Sequence, residues 1–325
     1  MIKPVSLAVV VPVYRGEATL AAVVDELLQY AEGVTPSQRP YQITEIILVW
    51  DHGDDNSPDV MRRLARDYEI VRAVWLMRNY GQHAATLAGI ASTGSDWIVT
   101  LDEDGQHDPS YLPEMIDRAF VERSRLVYFD PTNKAPHGFF RNIGSWSAKL
   151  LFRLITSSDS FDSFSSYRLI HGETARTVAA YTGPGVYLDV ALIWVTDGAI
   201  KCPGLLRSEQ RTAQSYTYRK LASHAFRMIV SSGTRPLRII AFFGFVLGLF
   251  GFFVAGVVVY GRIFQSVPVQ GWTSMMIALL ITGGAILVSL AVIAEYLGIA
   301  VSAVLGKPLY AIGSSDGDVF DTSDS

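Results

Sequence analysis

The chain is poor in several things, and each shortage removes a class of protein. Cysteine occurs once, at Cys202, which excludes a disulfide framework and leaves no thiol set for a zinc site. Lys and Arg number 27 against 31 Asp and Glu, a net charge of −4, so there is no basic excess for a nucleic-acid backbone. Charged residues are 18% of the 325, below the ~25% of an ordinary soluble domain. With 50% hydrophobic residues and a mean hydropathy of +0.26, that composition excludes a disordered chain. Neither GxGxxG after the first apolar run nor GxxxxGK anywhere is present, which removes the main support for dinucleotide and P-loop readings.

The surplus of apolar residues sits in two places. Ile239 to Tyr260 and Thr273 to Ala294 carry no charge, and each matches the ~20 residues that span a bilayer as helix. Apolar residues cover every helical face, which argues against a pair of buried core helices. Gly261 to Trp272, with Pro268 and Gly271, is a short linker, so the sequence predicts a two-helix transmembrane hairpin within 235–310, with spans at about 239–260 and 273–297. Arg219, Lys220, Arg227, Arg235 and Arg238 precede it and Lys307 follows, while the linker offers only Arg262; the positive-inside rule therefore puts both ends in the cytoplasm. Residues 216–234 alternate basic and apolar groups and read as an interfacial amphipathic helix. The small, acidic tail at 311–325 reads as disordered.

Upstream, residues 1–215 alternate strand and helix patterns. Strands are expected at Ser6–Val13, Ile43–Trp50, Val71–Met77 and Trp97–Leu101, with helices over Glu17–Tyr30, Asp59–Tyr68 and Gln82–Ala91. This alternation predicts an α/β domain with a mostly parallel sheet. Ligands in such sheets collect beyond the carboxyl ends of the strands. Those ends supply Pro12, Val13 and Tyr14; Asp51; Arg78 and Asn79; and Asp102, Glu103 and Asp104. Asp102 and Asp104 stand two apart, so both carboxylates can face one side, as Mg2+ or Mn2+ beside a diphosphate requires; a solvated acidic turn is the alternative.

The segments VVVPVYRGEATL, EIILVWDHGDDNS, RNYGQHAATLAG, LDEDGQHDP, SSYRLI, SYTYRKL, RPLRI and EYLGIAVSAVLGKPLY together resemble the polyprenyl-phosphate branch of the family 2 glycosyltransferases, which includes undecaprenyl-phosphate glucosyltransferases, dolichyl-phosphate mannose synthases and the undecaprenyl-phosphate aminoarabinose transferase. The resemblance extends to about Tyr310. It implies a GT-A-like nucleotide-sugar domain anchored in the bacterial inner membrane with its catalytic domain cytoplasmic. It also implies inverting transfer of a hexose from a nucleotide-diphosphate sugar to a polyprenyl phosphate. By the same resemblance Pro12, Tyr14, Glu17, Asp51, Arg78 and Asn79 would bind the nucleotide sugar, Asp102 and Asp104 would hold Mg2+ or Mn2+, and Gln106 would lie by the donor sugar or metal. Arg141, Arg168, Arg211 and Ser215 are candidates for the acceptor phosphate, since guanidinium grips phosphate bidentately. The chain departs from the family where Trp50-Asp51-His52-Gly53 replaces Asp-Asp-Gly-Ser and where Arg15-Gly16 precedes Glu17. One carboxylate can accept from uracil or guanine, so hydrogen bonding leaves UDP and GDP donors open; the resemblance favours UDP-glucose over GDP-mannose. A processive polysaccharide synthase would want a Gln-x-x-Arg-Trp motif, which is missing. An inactive scaffold would not need both Asp102 and Asp104. A homo-oligomer stays open.

Overall fold

A computed structural model describes residues 3–133, 164–183, 186–207, 235–264 and 271–313. The expected interfacial helix, 216–234, and the candidates Arg141, Arg211 and Ser215 lie outside the described residues.

β1 (Val5–Val13) is a run of β-branched residues buried on both faces, the mark of a central strand. It pairs in parallel with β3 (Pro40–Trp50) on one side and β5 (Trp97–Thr100) on the other. The outer edge of β3 is shared by short antiparallel β2 (Glu32–Val34) and parallel β4 (Val71–Trp75). Beyond β5 the order continues with β7 (Arg168–His171), β6 (Leu126–Pro131) and β8 (Ile200–Gly204). β7 enters the sheet reversed, antiparallel to both neighbours, while β8 runs parallel to β6. The expected mostly parallel sheet is therefore corrected to a mixed one. The parallel half is where strand and helix alternate in sequence; the reversal comes after that alternation ends.

Helices α1 (Leu20–Gln29), α2 (Ser57–Asp67) and α4 (Leu112–Val121) cover one face, and α3 (Gln82–Ala91), α5 (Gly172–Tyr181) and α6 (Leu188–Val195) the other. α1 buries Leu20, Val23, Val24 and Leu27, the spacing of one helical stripe. Strand side chains alternate between the two layers: Leu7, Val9 and Val11 join the first, Ala8 and Val10 the second. Cys202 is buried in the first layer, and burial pushes its thiol up to about 11, so it is an inert packing residue.

The chain leaves this α/β unit and returns to it at Pro308. Leu309 and Tyr310 pack on the second apolar layer, and Ile312 forms an antiparallel bridge with Leu76 just past β4. Residues 311–313, expected in the disordered tail, are thus held against the α/β unit by a single bridge.

A second unit holds α7 (Arg235–Phe264) and α8 (Trp272–Val304), of 30 and 33 residues. Among the described residues one stretch, Ile281–Val304, is long and apolar enough to cross a membrane, and α7 carries a shorter apolar stretch, Ile240–Val254. Of the two spans expected, length and composition support that one.

Candidate functional site

Four loops meet at the carboxyl ends of β1, β3, β4 and β5, and hydrogen bonds tie each to the next. The loop after β1 is held by Glu103, whose Oε2 accepts from the Tyr14 amide and whose Oε1 accepts from the Arg15 amide, both at 2.9 Å. Tyr14 itself is 43% exposed, with the Arg15 guanidinium beside its ring. Pro12, by contrast, is buried within β1 against Val49. Glu17 accepts from the Asn56 side chain at 2.9 Å and from the Asn56 amide at 3.2 Å, so its carboxylate fastens the loop after β1 to the loop after β3. Arg15 and Asp54 form a second tie between the same loops, bidentate at 2.5 and 2.6 Å.

Asp51 directly follows β3 and is 3% exposed. Its Oδ1 accepts from the Tyr80 amide at 2.7 Å and its Oδ2 from the Gly81 amide at 2.9 Å, while Asn79 donates its side-chain N–H to the Asp51 carbonyl at 2.9 Å. Burial raises the pKa of Asp51, and the two amides oppose that shift. Arg78 stacks over Tyr80 at 4.6 Å. Gly81 has φ +91°, in the region that favours glycine, and this turns the loop into α3. After Asp51 the backbone passes so close to Tyr14 that a Cβ on Gly53 would lie 1.4 Å from the Tyr14 carbonyl oxygen. His52 stacks on Trp50 with ring centroids 4.1 Å apart, and its Nδ1 lies 2.9 Å from the Leu76 carbonyl oxygen. Trp50 in turn meets Trp75 edge-on. Trp50 and His52 thus form a stacked aromatic pair on either side of Asp51 in the sequence, with Trp50 packed against the first apolar layer.

After β5, Asp102 accepts from Gln82 on Oδ1 and from the Ser166 hydroxyl on Oδ2, both at 2.5 Å. Burial raises its pKa, with His107 the largest opposing influence. Burial lowers the pKa of His107, and its Nδ1 lies 3.4 Å from the Asp102 amide, consistent with a neutral imidazole protonated at Nε2. Asp104 accepts from the Gln106 amide at 3.0 Å, which fixes the turn; the Gln106 carbonyl accepts from the Arg207 amide at 3.0 Å. Arg207 also grips Glu26 at 2.6 Å and Asp108 at 2.9 Å, which closes the chain after β8 over the acidic loop.

The structure therefore brings together Tyr14, Glu17, Asp51, Asn79, Asp102, Asp104 and Gln106, all expected from sequence. It adds Glu103, Gln82, Ser166 and Arg207. Arg168 is a correction. It is 3% exposed, its Nε donates to Thr100 at 2.9 Å, and its Nη1 pairs with Asp189, which also accepts from the Tyr128 hydroxyl at 2.7 Å. A guanidinium so enclosed braces β7 against β5 and α6 and is not available to a lipid phosphate.

Among the described residues no group of three or more His, Cys, Asp and Glu side chains is arranged to hold a metal ion. Asp102 and Asp104 nevertheless offer hard oxygen donors with spare lone pairs. That donor set fits Mg2+ or Mn2+ if water and phosphate oxygens complete the shell.

Residues 8–169 match the family described as Glycosyl transferase family 2. The chain is a glycosyltransferase of family 2. It is similar to the undecaprenyl-phosphate 4-deoxy-4-formamido-L-arabinose transferase of Pectobacterium atrosepticum, 25% identical over 94% of this chain and 92% of that one. It is likewise similar to the bactoprenol glucosyl transferase of Shigella phage SfX, 24% identical over 95% and 99%. Among solved structures, glucosyl-3-phosphoglycerate synthase from Mycobacterium tuberculosis with Mn2+ and UDP-glucose aligns over 71% of this chain and 78% of that one, with a TM-score of 0.50 and 18% identity. That likeness establishes a GT-A-like fold for this family 2 enzyme.

Proposed function

We propose that this family 2 enzyme transfers a hexose from a nucleotide-diphosphate sugar, UDP-glucose before GDP-mannose, to a polyprenyl phosphate of the undecaprenyl type at the bacterial inner membrane. The observation that carries the reading is the convergence of Asp51, Asp102 and Asp104 at one sheet edge, on loops fastened to each other through Glu103, Gln82 and Glu17. Relatives named as undecaprenyl-phosphate and bactoprenol transferases, matched nearly end to end, support the lipid acceptor.

The nucleotide would lie between Tyr14 and the Trp50–His52 pair, its diphosphate towards Asp102 and Asp104. Those two carboxylates would hold Mg2+ or Mn2+, which when bound neutralises charge developing on the leaving diphosphate. Gln82 and Ser166 orient Asp102, and the Gln106 amide orients Asp104. The acceptor phosphate is anionic at neutral pH, so its oxygen needs no general base. Its bond to the anomeric carbon forms as the bond to the nucleoside diphosphate breaks, with inversion. Arg141, Arg211 and Ser215 are the proposed grip on the acceptor phosphate.

For the membrane, two crossings are the reading that agrees with the sheet. An even number of crossings would put the chain on either side of the two long helices on one side of the membrane, and the bridge between Ile312 and Leu76 supports that reading. The test is turnover by the purified enzyme of UDP-glucose and GDP-mannose with undecaprenyl phosphate and Mg2+. A single glucosyl residue on the lipid is expected. Transfer from GDP-mannose alone overturns the donor, and no transfer from either overturns the reaction.

A further inference from the structure

We propose that the five residues Leu309 to Gly313, which follow α8, are a working part of the donor site: a clamp that positions the loop Arg78–Gly81. This rests on the reading of that loop as nucleotide-binding. β4 is bonded to β3 along one edge. Just past its end, the other edge is completed by the clamp. The Met77 amide donates to the Ala311 carbonyl at 2.9 Å, and the Gly313 amide donates to the Trp75 carbonyl at 2.8 Å. Leu309 and Tyr310 anchor the segment against the second apolar layer.

From the clamped residues to the acidic loop the connection is unbroken. Leu76, at the centre of the bridge, takes its amide bond from β3 at Trp50 and presents its carbonyl to His52. The next five residues close on Asp51 through the Asn79 side chain and the Tyr80 and Gly81 amides. Gln82 follows and reaches Asp102. Without the clamp, Met77 and Trp75 lose their partners on that edge, and the Arg78–Gly81 loop is anchored at its start by β3 alone. Asp51, Tyr80 and Gly81 are then free to part, and the Trp50–His52 pair loses the carbonyl that holds His52. Leu309–Gly313 touches no reacting atom; it acts by position.

The test uses the full chain in detergent and three proteins: wild type, Gly313→Pro, which deletes the amide that bonds Trp75, and a chain stopped after Gly313. Hydrogen exchange at the Tyr80 and Gly81 amides reads the clamp without any ligand. It should quicken about tenfold or more in Gly313→Pro, with exchange in β1 and the melting temperature unchanged, and stay at the wild-type rate in the stopped chain. Titration with UDP and GDP in Mg2+ reads the consequence: a Kd weakened about tenfold in Gly313→Pro, with the KM for polyprenyl phosphate unmoved. Wild-type exchange at Tyr80 and Gly81 in Gly313→Pro overturns the clamp. Faster exchange in a protein whose wild type binds neither nucleotide sustains the clamp and overturns the functional reading instead.

Discussion

The acidic loop after β5 divides its carboxylates by partner. Asp102 accepts from Gln82 and Ser166, while Glu103 collects the Tyr14 and Arg15 amides. The pair proposed to hold a metal and a loop-holding carboxylate thus sit in three consecutive residues, and they should fail differently. Asp104→Ala should lower kcat about a hundredfold or more in a protein that remains folded. Glu103→Gln removes one acceptor and turns an N–H towards an amide, which costs about 1–3 kcal/mol. It should lower stability, measured by urea unfolding, and weaken UDP binding in the presence and absence of chelator alike. Two carboxylates are too few to hold a cation without help. Mn2+ affinity, followed by its paramagnetic resonance signal, should therefore rise at least tenfold when UDP is added; equal affinity with and without UDP would remove the shared shell.

Elements explain what the sequence could and could not reveal. The parallel half was legible because its strands and helices alternate with clean periodicity: α1 shows its buried stripe at Leu20, Val23, Val24 and Leu27, and α3 begins and ends where its pattern does. Asp51, Asp102 and Asp104 were legible because strand ends in such a sheet are where ligands gather. Glu103 was not legible as a loop holder, because it lies in a turn past the end of β5 and its partners, the Tyr14 and Arg15 amides, are far away in sequence. Nor was the role of Arg168. An arginine opening a strand looks the same whether it faces a phosphate or a buried carboxylate, and its partner Asp189 lies on another element, α6. The reversal of β7 was hidden for a related reason, since direction within a sheet is settled by distant neighbours. Removing one partner of a buried pair strands the other charge, so Asp189→Ala should cost about 3–5 kcal/mol in urea unfolding. Among molecules that remain folded, the KM for polyprenyl phosphate should be that of the wild type. A selective rise in that KM, without loss of stability, would return Arg168 to the acceptor site.

At the scale of the whole molecule the topology is testable from the two chain ends. Both lie on the side of the α/β unit in the even-crossing reading, so single cysteines introduced at Lys3 and after Gly313, in a Cys202→Ala background, should react together. A membrane-impermeant maleimide added to sealed inside-out vesicles should label both, and in right-side-out vesicles neither. Labelling of one end only would fit a single crossing and break the pairing of Ile312 with Leu76. Cys202 itself, with its thiol pushed up to about 11 and buried, should stay unlabelled until the protein is denatured.

That pairing also orders events during biosynthesis. The edge of the sheet beside Trp75 and Met77 waits for residues that leave the ribosome only after both long helices have been made. On the clamp proposal, the loop Arg78–Gly81 would be finished last, after α7 and α8 have been made. A chain that stalls before Pro308 would then lack the partners of Met77 and Trp75 and should bind a nucleotide weakly, so that on this reading the site would be completed only once both long helices exist.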